Sequence, residues 1–284
     1  MSELIIKNQQ LTITISTKGA EIQSVRTADG TELLWCGDPN VWGWHAPVLF
    51  PIVGGLKNDT YRYNGIDYTM KRHGFGRTSE YQVECATDTS ATFLLCDNEQ
   101  TRAQYPFSFA FRITYTLEGD SLKVAYQVDN AGEDTMYFFS GSHEAYACPN
   151  GIEEYSVIFD KPEDLYAHVI EGGIITRKMV HIPTEGQELK LTYDLFKVDA
   201  QVFPGTNSDA VTLLHRPSGR KIRVEFPGCS HLLLWTKPGA NYICIEPWHG
   251  LSEFEGNSLE LDKKDGVLSL KAGETWSAEH TITF

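Results

Sequence analysis

Alternation of apolar and polar residues with a period of two recurs along this chain of 284 residues, whereas helical periodicity is scarce. Clear examples are 11–15 (LTITI), 122–128 (LKVAYQV) and 221–226 (KIRVEF). Successive side chains of a β-strand point to opposite faces, so this pattern predicts strands that bury one face. Short turn segments, such as 118–121 and 217–220, separate these runs and are typical of β-hairpins.

The architecture that follows is all-β, a large and mainly antiparallel β-sandwich with few short helices. The best helix candidate is 98–104, which Pro106 would end, and 275–284 reads as a closing strand. No linker rich in Gly, Ser or Pro and no repeat of fixed period divides the chain. Because β-sandwiches of this size often form one unit, we expect a single domain over 1–284.

Charge and hydropathy exclude several classes of partner. The formal net charge is -14, from 38 acidic against 24 basic residues, and no long run of lysine or arginine offers a phosphate-binding stripe. Nucleic acid is therefore not an expected partner. The N-terminus has no basic region before an apolar stretch, and nowhere are there about 18 consecutive apolar residues. We expect a soluble, cytoplasmic protein without a membrane partner, and the sequence makes no prediction of its oligomeric state.

The six cysteines are widely scattered and form no Cys-x-x-Cys pair. In a chain without a signal peptide, this spacing predicts reduced, mostly buried thiols and disfavours both a disulfide framework and a zinc site. Neither a metal nor a cofactor is expected. The cysteines are Cys36, Cys85, Cys96, Cys148, Cys229 and Cys244.

One apolar segment near the C-terminus runs directly into a carboxylate. The strand-forming residues 242–245 precede Glu246, which is followed by Pro247 and Trp248. An ionised carboxylate at a core is costly unless it is paired, and desolvation raises its pKa, so Glu246 is a candidate general base. The alternative is a strand-end carboxylate that reaches solvent or pairs with an arginine. Because proline cannot donate to a sheet ladder, we expect the strand to end at Pro247 and Trp248 to lie in a loop beside a pocket.

Two other segments interrupt the alternation with residues suited to chemistry. In 71–77 (KRHGFGR), two glycines allow a close backbone approach to a ligand while His73 and Arg77 project from the turn. An aromatic strand breaks at Gly141 and presents His143, which is placed to reach a cleft. The alternative for each histidine is an exposed loop position without a function.

The order of these segments along the chain resembles the aldose 1-epimerase (galactose mutarotase-like) family, and within it the LacX-like branch. The resemblance covers nearly the whole chain. It implies a galactose mutarotase-like supersandwich with an open sugar-binding cleft. It also implies that the protein interconverts the α and β anomers of an aldose without a cofactor.

The resemblance further implies roles for individual residues. Glu246 resembles the general base of the family and His143 its general acid. His73 is similar to the second active-site histidine, which binds the sugar, and Asp199 to the aspartate that hydrogen-bonds sugar hydroxyls. Trp248 is expected at the rim, where it would stack on the sugar. Trp42 and Trp44 are alternative stacking platforms, although ordinary core or rim positions are favoured for both.

A basic residue is also expected in the cleft. Arg77 resembles the arginine of the His-Gly-Phe-x-Arg pattern found in hexose-6-phosphate mutarotase relatives. The chain departs from the family at Gly55, where many relatives carry an arginine that binds the sugar. Lys57, Arg72 and Arg77 are the candidate substitutes.

These roles agree with the chemistry of mutarotation. A base removes the proton of the anomeric hydroxyl and an acid protonates the ring oxygen, so the ring opens, the aldehyde rotates and the ring recloses. A partly buried glutamate and an imidazole with a pKa near neutrality are matched to these transfers.

The substrate class and two rival functions stay open at this point. A free hexose is favoured. A hexose phosphate is the alternative because Lys71, Arg72 and Arg77 offer positive charge, although the net charge of the chain opposes long-range attraction of anions. One rival is a glycoside hydrolase that pairs Glu246 with Glu144 or Asp199, which the separation of the carboxyl groups would decide. The other rival is a non-catalytic sugar-binding or sensing protein on the same fold.

Overall fold

A computed structural model describes residues 2–284. Within these residues the chain forms two large antiparallel sheets and three small ones. In chain order the strands are β1 (Glu3–Lys7), β2 (Leu11–Ser16), β3 (Ile22–Thr27), β4 (Thr60–Tyr63), β5 (Ile66–Thr69), β6 (Gln82–Ala86), β7 (Ser90–Cys96), β8 (Phe109–Glu118), β9 (Ser121–Asn130), β10 (Met136–Phe138), β11 (Ser140–Gly141), β12 (Glu144–Ala147), β13 (Tyr155–Phe159), β14 (Tyr166–Glu171), β15 (Ile174–His181), β16 (Glu188–Lys190), β17 (Gln201–Pro204), β18 (Ala210–His215), β19 (Lys221–Glu225), β20 (His231–Trp235), β21 (Tyr242–His249), β22 (Leu268–Leu270) and β23 (Thr275–Thr283). Helical structure is limited to α1 (Glu99–Arg102) and the 3-10 turns Lys57–Asp59, Gly76–Thr78, Ile152–Glu154, Tyr193–Phe196 and Leu261–Lys263.

The strand order defines the two main layers. The larger sheet has nine strands in the order β16-β13-β18-β19-β23-β9-β8-β7-β6. The second has seven strands in the order β11-β21-β20-β17-β14-β15, and β12 also pairs with β21. Phe159 of the first sheet meets Phe203 of the second edge to face, with ring centroids 6.4 Å apart. The predicted antiparallel β-sandwich with few short helices is confirmed.

Burial alternates along the strands as the sequence pattern predicts. In β8 and β9 every second residue is buried, and the 118–121 turn joins them as a hairpin in which Glu118 pairs with Ser121. The buried face of β8 is mostly aromatic, and each such side chain contributes about 1.5–3 kcal/mol when it is fully buried. These residues are Phe109, Phe111, Ile113, Tyr115 and Leu117.

The predicted helix near residue 98 is present and short. Asn98 caps α1, because its side-chain oxygen accepts hydrogen bonds from the backbone amides of Gln100 and Thr101. The Thr101 hydroxyl in turn accepts from the Asn98 amide, which completes a capping box. The helix ends at Arg102, two residues before the predicted end.

The expectation that the strand ends at Pro247 is wrong, because β21 continues to His249. The carbonyl of Pro247 accepts a hydrogen bond from the amide of Ser142 on the side of β11 and β12. In an antiparallel ladder the N–H and C=O of one residue point to the same neighbour, so the missing N–H also faces that side. Pro247 lies opposite the interval between β11 and β12, where the sheet ladder does not need a hydrogen bond from this residue.

The cysteines form no disulfide within residues 2–284, but the expectation of mostly buried thiols is wrong. Cys148 and Cys244 are buried, whereas three thiols are exposed. Two of the exposed residues, Cys85 and Cys96, belong to β6 at the sheet edge and to the end of its neighbour β7. Within the described residues, no helix has the length and apolar character needed to cross a membrane.

Candidate active site

An open cleft of about 400 Å³ lies on the face of the seven-stranded sheet that points away from the core. The period of two along β20 and β21 directs Leu233, Trp235, Glu246 and Trp248 to this face. The cleft is lined by Trp42, Arg72, His73, Arg77, His143, Asp199, Ala200, Leu233, Trp235, Glu246 and Trp248. Seven of the eight site residues predicted from the sequence therefore meet here, and Lys57 does not line the cleft.

Glu246 is a buried carboxyl group with an exposed fraction of 2%. Its Oε1 lies 3.4 Å from Nδ1 of His143, which is its sole ion-pair partner among residues 2–284, and Oε2 has no hydrogen-bond partner. Burial, and next the nearby carboxylate of Glu144, raise the pKa of Glu246 well above its usual range. The alternative of a strand-end carboxylate paired with an arginine does not describe this residue.

The sheet register explains why Glu246 and His143 meet. Gly141 pairs with Trp248 and Glu144 pairs with Ile245, so the same antiparallel register places His143 directly across from Glu246. Directly opposed residues of an antiparallel pair project on the same face and have neighbouring side chains. The proposed acid and base are therefore a cross-strand pair.

His143 is enclosed by aromatic rings. Trp42 stacks on the imidazole with ring centroids 5.0 Å apart, and Trp235 meets it edge to face at 5.7 Å. Burial, and next the positive charge of Arg77, lower the pKa of His143 to about 3. The expected pKa near neutrality is therefore wrong, because the sequence did not show that the ring is buried between tryptophans.

His73 is held by two hydrogen bonds to one residue of the neighbouring loop. Its amide donates to the Gly54 carbonyl at 2.7 Å, and the Gly54 amide donates to His73 Nδ1 at 3.0 Å. Burial, followed by the charge of His143, holds the pKa of His73 well below its usual range. Gly74 makes this turn feasible, because it has a φ of +67° and a Cβ added there would lie 2.3 Å from the Phe50 carbonyl oxygen.

Two arginines line the cleft, and neither has a carboxylate partner within ion-pair distance in the described part of the chain. Arg77 donates to the Arg72 carbonyl at 2.9 Å, and its guanidinium lies 4.8 Å above the ring of Trp44. The guanidinium of Arg72 lies beside Gly55, where an added Cβ would be 3.7 Å from Nη2. Arg72 thus occupies the space next to the position at which the sequence lacks an arginine.

Asp199 and Trp248 stand at the junction of the cleft with a smaller recess of about 50 Å³. Asp199 is half-buried, and its Oδ1 accepts a hydrogen bond from the amide of Ala200. The indole of Trp248 lies against Gly141, where an added Cβ would be 2.6 Å from the ring. Both residues can therefore contact a ligand that fills the cleft.

The sequence reasoning missed several residues of the cleft wall. Leu233, Trp235 and Ala200 were not singled out, and Trp42 was assigned to an ordinary core or rim position. A signal for Trp235 does exist: the apolar run 232–235 ends in a tryptophan before Pro238 and Gly239, and it directly precedes the segment that carries Glu246. For Trp42, which lies in an irregular segment, the sequence offers no comparable signal.

Glu144 lies outside this cleft. It is buried on the opposite face of the seven-stranded sheet, and its Oε1 lies 3.1 Å from Nε2 of His280. The hydrolase alternative that pairs Glu246 with Glu144 consequently lacks a shared cleft.

The side chains of His143, Cys244 and Glu246 bring donor atoms within 4.8 Å of one another. Metals bind cysteine as the thiolate, but burial, and next the charge of Glu246, raise the pKa of the Cys244 thiol well above its usual range. A metal ion at this position would have to displace the proton of this buried thiol.

Comparisons with known proteins agree along the length of the chain. The sequence profile described as aldose 1-epimerase matches residues 2–283. The chromosomal protein LacX of Lactococcus lactis subsp. lactis is 37% identical over 271 residues, which cover 90% of this chain and 91% of LacX. The galactose mutarotase related enzyme of Lactobacillus acidophilus superimposes with a TM-score of 0.95 at 34% identity, covering 99% of this chain and 97% of that one. A galactose mutarotase-like protein of Lactobacillus casei ATCC 334 gives 0.92 at 27% identity, covering 99% of both chains.

Proposed function

The chain belongs to the aldose 1-epimerase family, and from this membership we propose that it is a mutarotase that interconverts the anomers of an aldose. The observation that carries the proposal is the cross-strand pair of Glu246 and His143, whose Oε1 and Nδ1 atoms lie 3.4 Å apart in the cleft. Mutarotation acts on the anomeric hydroxyl and the ring oxygen, which share one carbon atom. An acid and a base that serve both oxygens must therefore be close neighbours, as these two residues are.

In the proposed mechanism Glu246 removes the proton of the anomeric hydroxyl and His143 gives a proton to the ring oxygen. Ring opening leaves an aldehyde that rotates about its bond to C2, and reclosure with the roles reversed yields the other anomer. The acid and base leave the cycle with the protons they began with, so the reaction consumes no co-reactant. Each such proton transfer is worth about 100-fold to 10,000-fold in rate.

The directions of the two pKa shifts favour a protonated Glu246 and a neutral His143 in the sugar-free cleft. The mechanism instead needs Glu246 ionised and this proton on His143. Both states hold equal numbers of protons, so transfer of one proton within the pair interconverts them. Hydrogen bonds from a bound sugar to the Glu246 carboxylate would favour the reactive arrangement.

The remaining residues of the cleft are suited to holding a sugar. His73, Arg72 and Asp199 offer hydrogen-bond donors and acceptors for hydroxyl groups, while Trp248 and Trp42 offer aromatic faces for the apolar face of the ring. A cleft of about 400 Å³ lies in the size range of small-molecule sites. We propose a free hexose as the substrate.

A hexose phosphate is the second candidate, and one observation favours it. Arg72 and Arg77 line the cleft without carboxylate partners among residues 2–284, and guanidinium groups bind phosphate well. Asp199 in the same cleft opposes a second negative charge, which is why the free hexose ranks first.

Polarimetry on freshly dissolved α-glucose and α-galactose tests the proposed activity directly, and anomer-exchange NMR on a panel of aldoses and hexose 6-phosphates identifies the substrate. We expect the protein to equilibrate the anomers faster than buffer alone. The Glu246→Gln variant serves as the inactive control. Sugar binding without any rate increase would leave a binding or sensing protein in place of the enzyme. Release of reducing ends from an aryl glycoside would favour the hydrolase.

We also propose that the whole chain, 1–284, acts as one domain in the cytoplasm. The exposed thiols of Cys36, Cys85 and Cys96 are suited to a reducing compartment.

A further inference from the structure

A buried acid–histidine pair connects the two main sheets behind the cleft. Glu144 of β12 is 3% exposed and His280 of β23 is 2% exposed, and Oε1 of the first lies 3.1 Å from Nε2 of the second. β12 belongs to the seven-stranded layer and β23 to the nine-stranded layer. Neither residue lines the cleft, so the mechanism described above does not use them.

The register places this pair next to the reacting groups. Glu144 pairs with Ile245 and shares its core-facing side, whereas Glu246, one residue further along β21, faces the cleft. His143, the direct neighbour of Glu144 in the chain, also lines the cleft. The carboxyl groups of Glu144 and Glu246 therefore lie on opposite faces of one sheet, separated by little more than its backbone.

The surroundings of Glu144 offer little screening of its charge. Its Oε2 has no hydrogen-bond partner, and the ring of Tyr126 stacks on His280 with centroids 5.8 Å apart. After burial, the charge of Glu144 is the next cause that raises the pKa of three enclosing tyrosines well above their usual range. Those tyrosines are Tyr115, Tyr126 and Tyr146. A charge that acts on these groups acts on Glu246 through the same poorly screened medium.

We propose that the Glu144–His280 pair is a positioning pair: it holds negative charge behind Glu246 and so sets the pH at which Glu246 gives up its proton during turnover. The proposal rests on the mutarotase function proposed above. The other titratable or charged groups that face Glu246 are His143, Cys244, Asp199, His73, Arg72 and Arg77. Glu144, like Cys244 and unlike the others, does not line the cleft, so substrate cannot touch it.

Two variants change the charge of the pair by different routes. Glu144→Gln removes the negative charge while keeping the shape of the side chain. His280→Gln removes the imidazole that contacts the carboxyl group, and a buried carboxylate without that partner is costly to keep ionised. Both changes favour ionisation of Glu246. Because the active pair holds one proton, which is lost from Glu246 at high pH, both should move the basic limb of kcat/KM to lower pH, by about half a pH unit or more. Glu118→Gln, at an exposed strand end, is the matched control and should not move the limb.

A readout that needs no turnover separates this proposal from the function on which it rests. The side-chain carboxyl carbon of Glu246 can be titrated by ¹³C NMR, with its resonance assigned by its loss in Glu246→Gln. We expect its midpoint to fall in Glu144→Gln and in His280→Gln whether or not the protein turns over sugar. If the midpoint and the kinetic limb stay in place in either folded variant, the pair has only a structural role and the proposal is wrong. Should Glu144→Gln fail to fold, His280→Gln alone decides.

Discussion

The amide of Gly54 donates a hydrogen bond to Nδ1 of His73 at a distance of 3.0 Å. An imidazole nitrogen that accepts a hydrogen bond carries no proton, so the neutral ring of His73 bears its proton on Nε2. Protonation at Nδ1 would break this bond, in line with the lowered pKa of His73. His73, which lines the cleft, therefore has an N–H group to donate to a ligand, and this supports the proposal that His143 is the histidine that exchanges protons.

His73→Asn should accordingly weaken sugar binding more than turnover. The loss of one hydrogen bond to a buried partner costs about 1–3 kcal/mol, so we expect KM to rise about tenfold or more while kcat stays within several-fold. Steady-state polarimetry over a range of sugar concentrations measures both constants. A loss confined to kcat would mean that the roles of His73 and His143 must be exchanged.

Glu246→Gln should abolish most activity and also change the pH dependence of stability. We expect a loss of about 100-fold to 10,000-fold in kcat with sugar affinity within several-fold, because the proposed role is proton transfer. The folded state binds the Glu246 proton more tightly than the unfolded state, whose pKa is near 4.5, so folding stability falls as pH rises from 4.5 through the raised pKa. The variant should lose less stability over that range in urea unfolding, whereas Glu118→Gln should follow the unmodified protein.

His143→Asn should affect the opposite side of the pH range. The folded pKa of about 3 lies below the value of 6.5, so the folded state binds fewer protons than the unfolded state between these two pH values. Stability is therefore lost as pH falls from 6.5 toward 3, and the variant should lose less of it. Acid titration followed by circular dichroism measures this, with His181→Asn on exposed β15 as the control. An unchanged acid transition, or near-normal mutarotation, would contradict the assignment of His143.

Whether Arg72 substitutes for the arginine absent at position 55 can be tested by moving the arginine from position 72 to position 55. Arg72→Ala should raise KM about tenfold, since a hydrogen bond to a charged group contributes about 1.5–3 kcal/mol. Gly55→Arg added to Arg72→Ala should recover part of this loss, because both side chains occupy the same space beside the cleft and Gly55 has no positive φ. Arg26→Ala on β3 is the control. No recovery in the double variant, with the fold intact, would show that Arg72 does not substitute for the arginine absent at position 55.

The strands could be predicted from the sequence because period-two burial is a local property. The hairpin at 118–121 and the strands β2, β9 and β19 follow directly from alternation and turn residues. The motifs singled out seven residues that line one cleft, but they did not show the environment of these residues. That His143 lies between two tryptophans, and that Glu144 faces the core instead of the cleft, depends on how distant segments pack. No local pattern encodes such contacts.

Pro247 is a second case in which a local pattern did not predict the structure. Proline normally indicates the end of a strand, yet here its missing N–H faces the interval between β11 and β12. Which side of a strand lacks a partner is decided by its neighbours, and those neighbours lie about a hundred residues away in the chain.

The proposed acid and base face each other across a strand pair, so their alignment depends on the number of residues in each strand. Deleting or inserting a single residue between Gly141 and Glu144 would break the alignment of His143 with Glu246, and a one-residue slip would turn one of them toward the core. In variant libraries, single-codon insertions and deletions in this short interval should therefore yield folded but inactive protein.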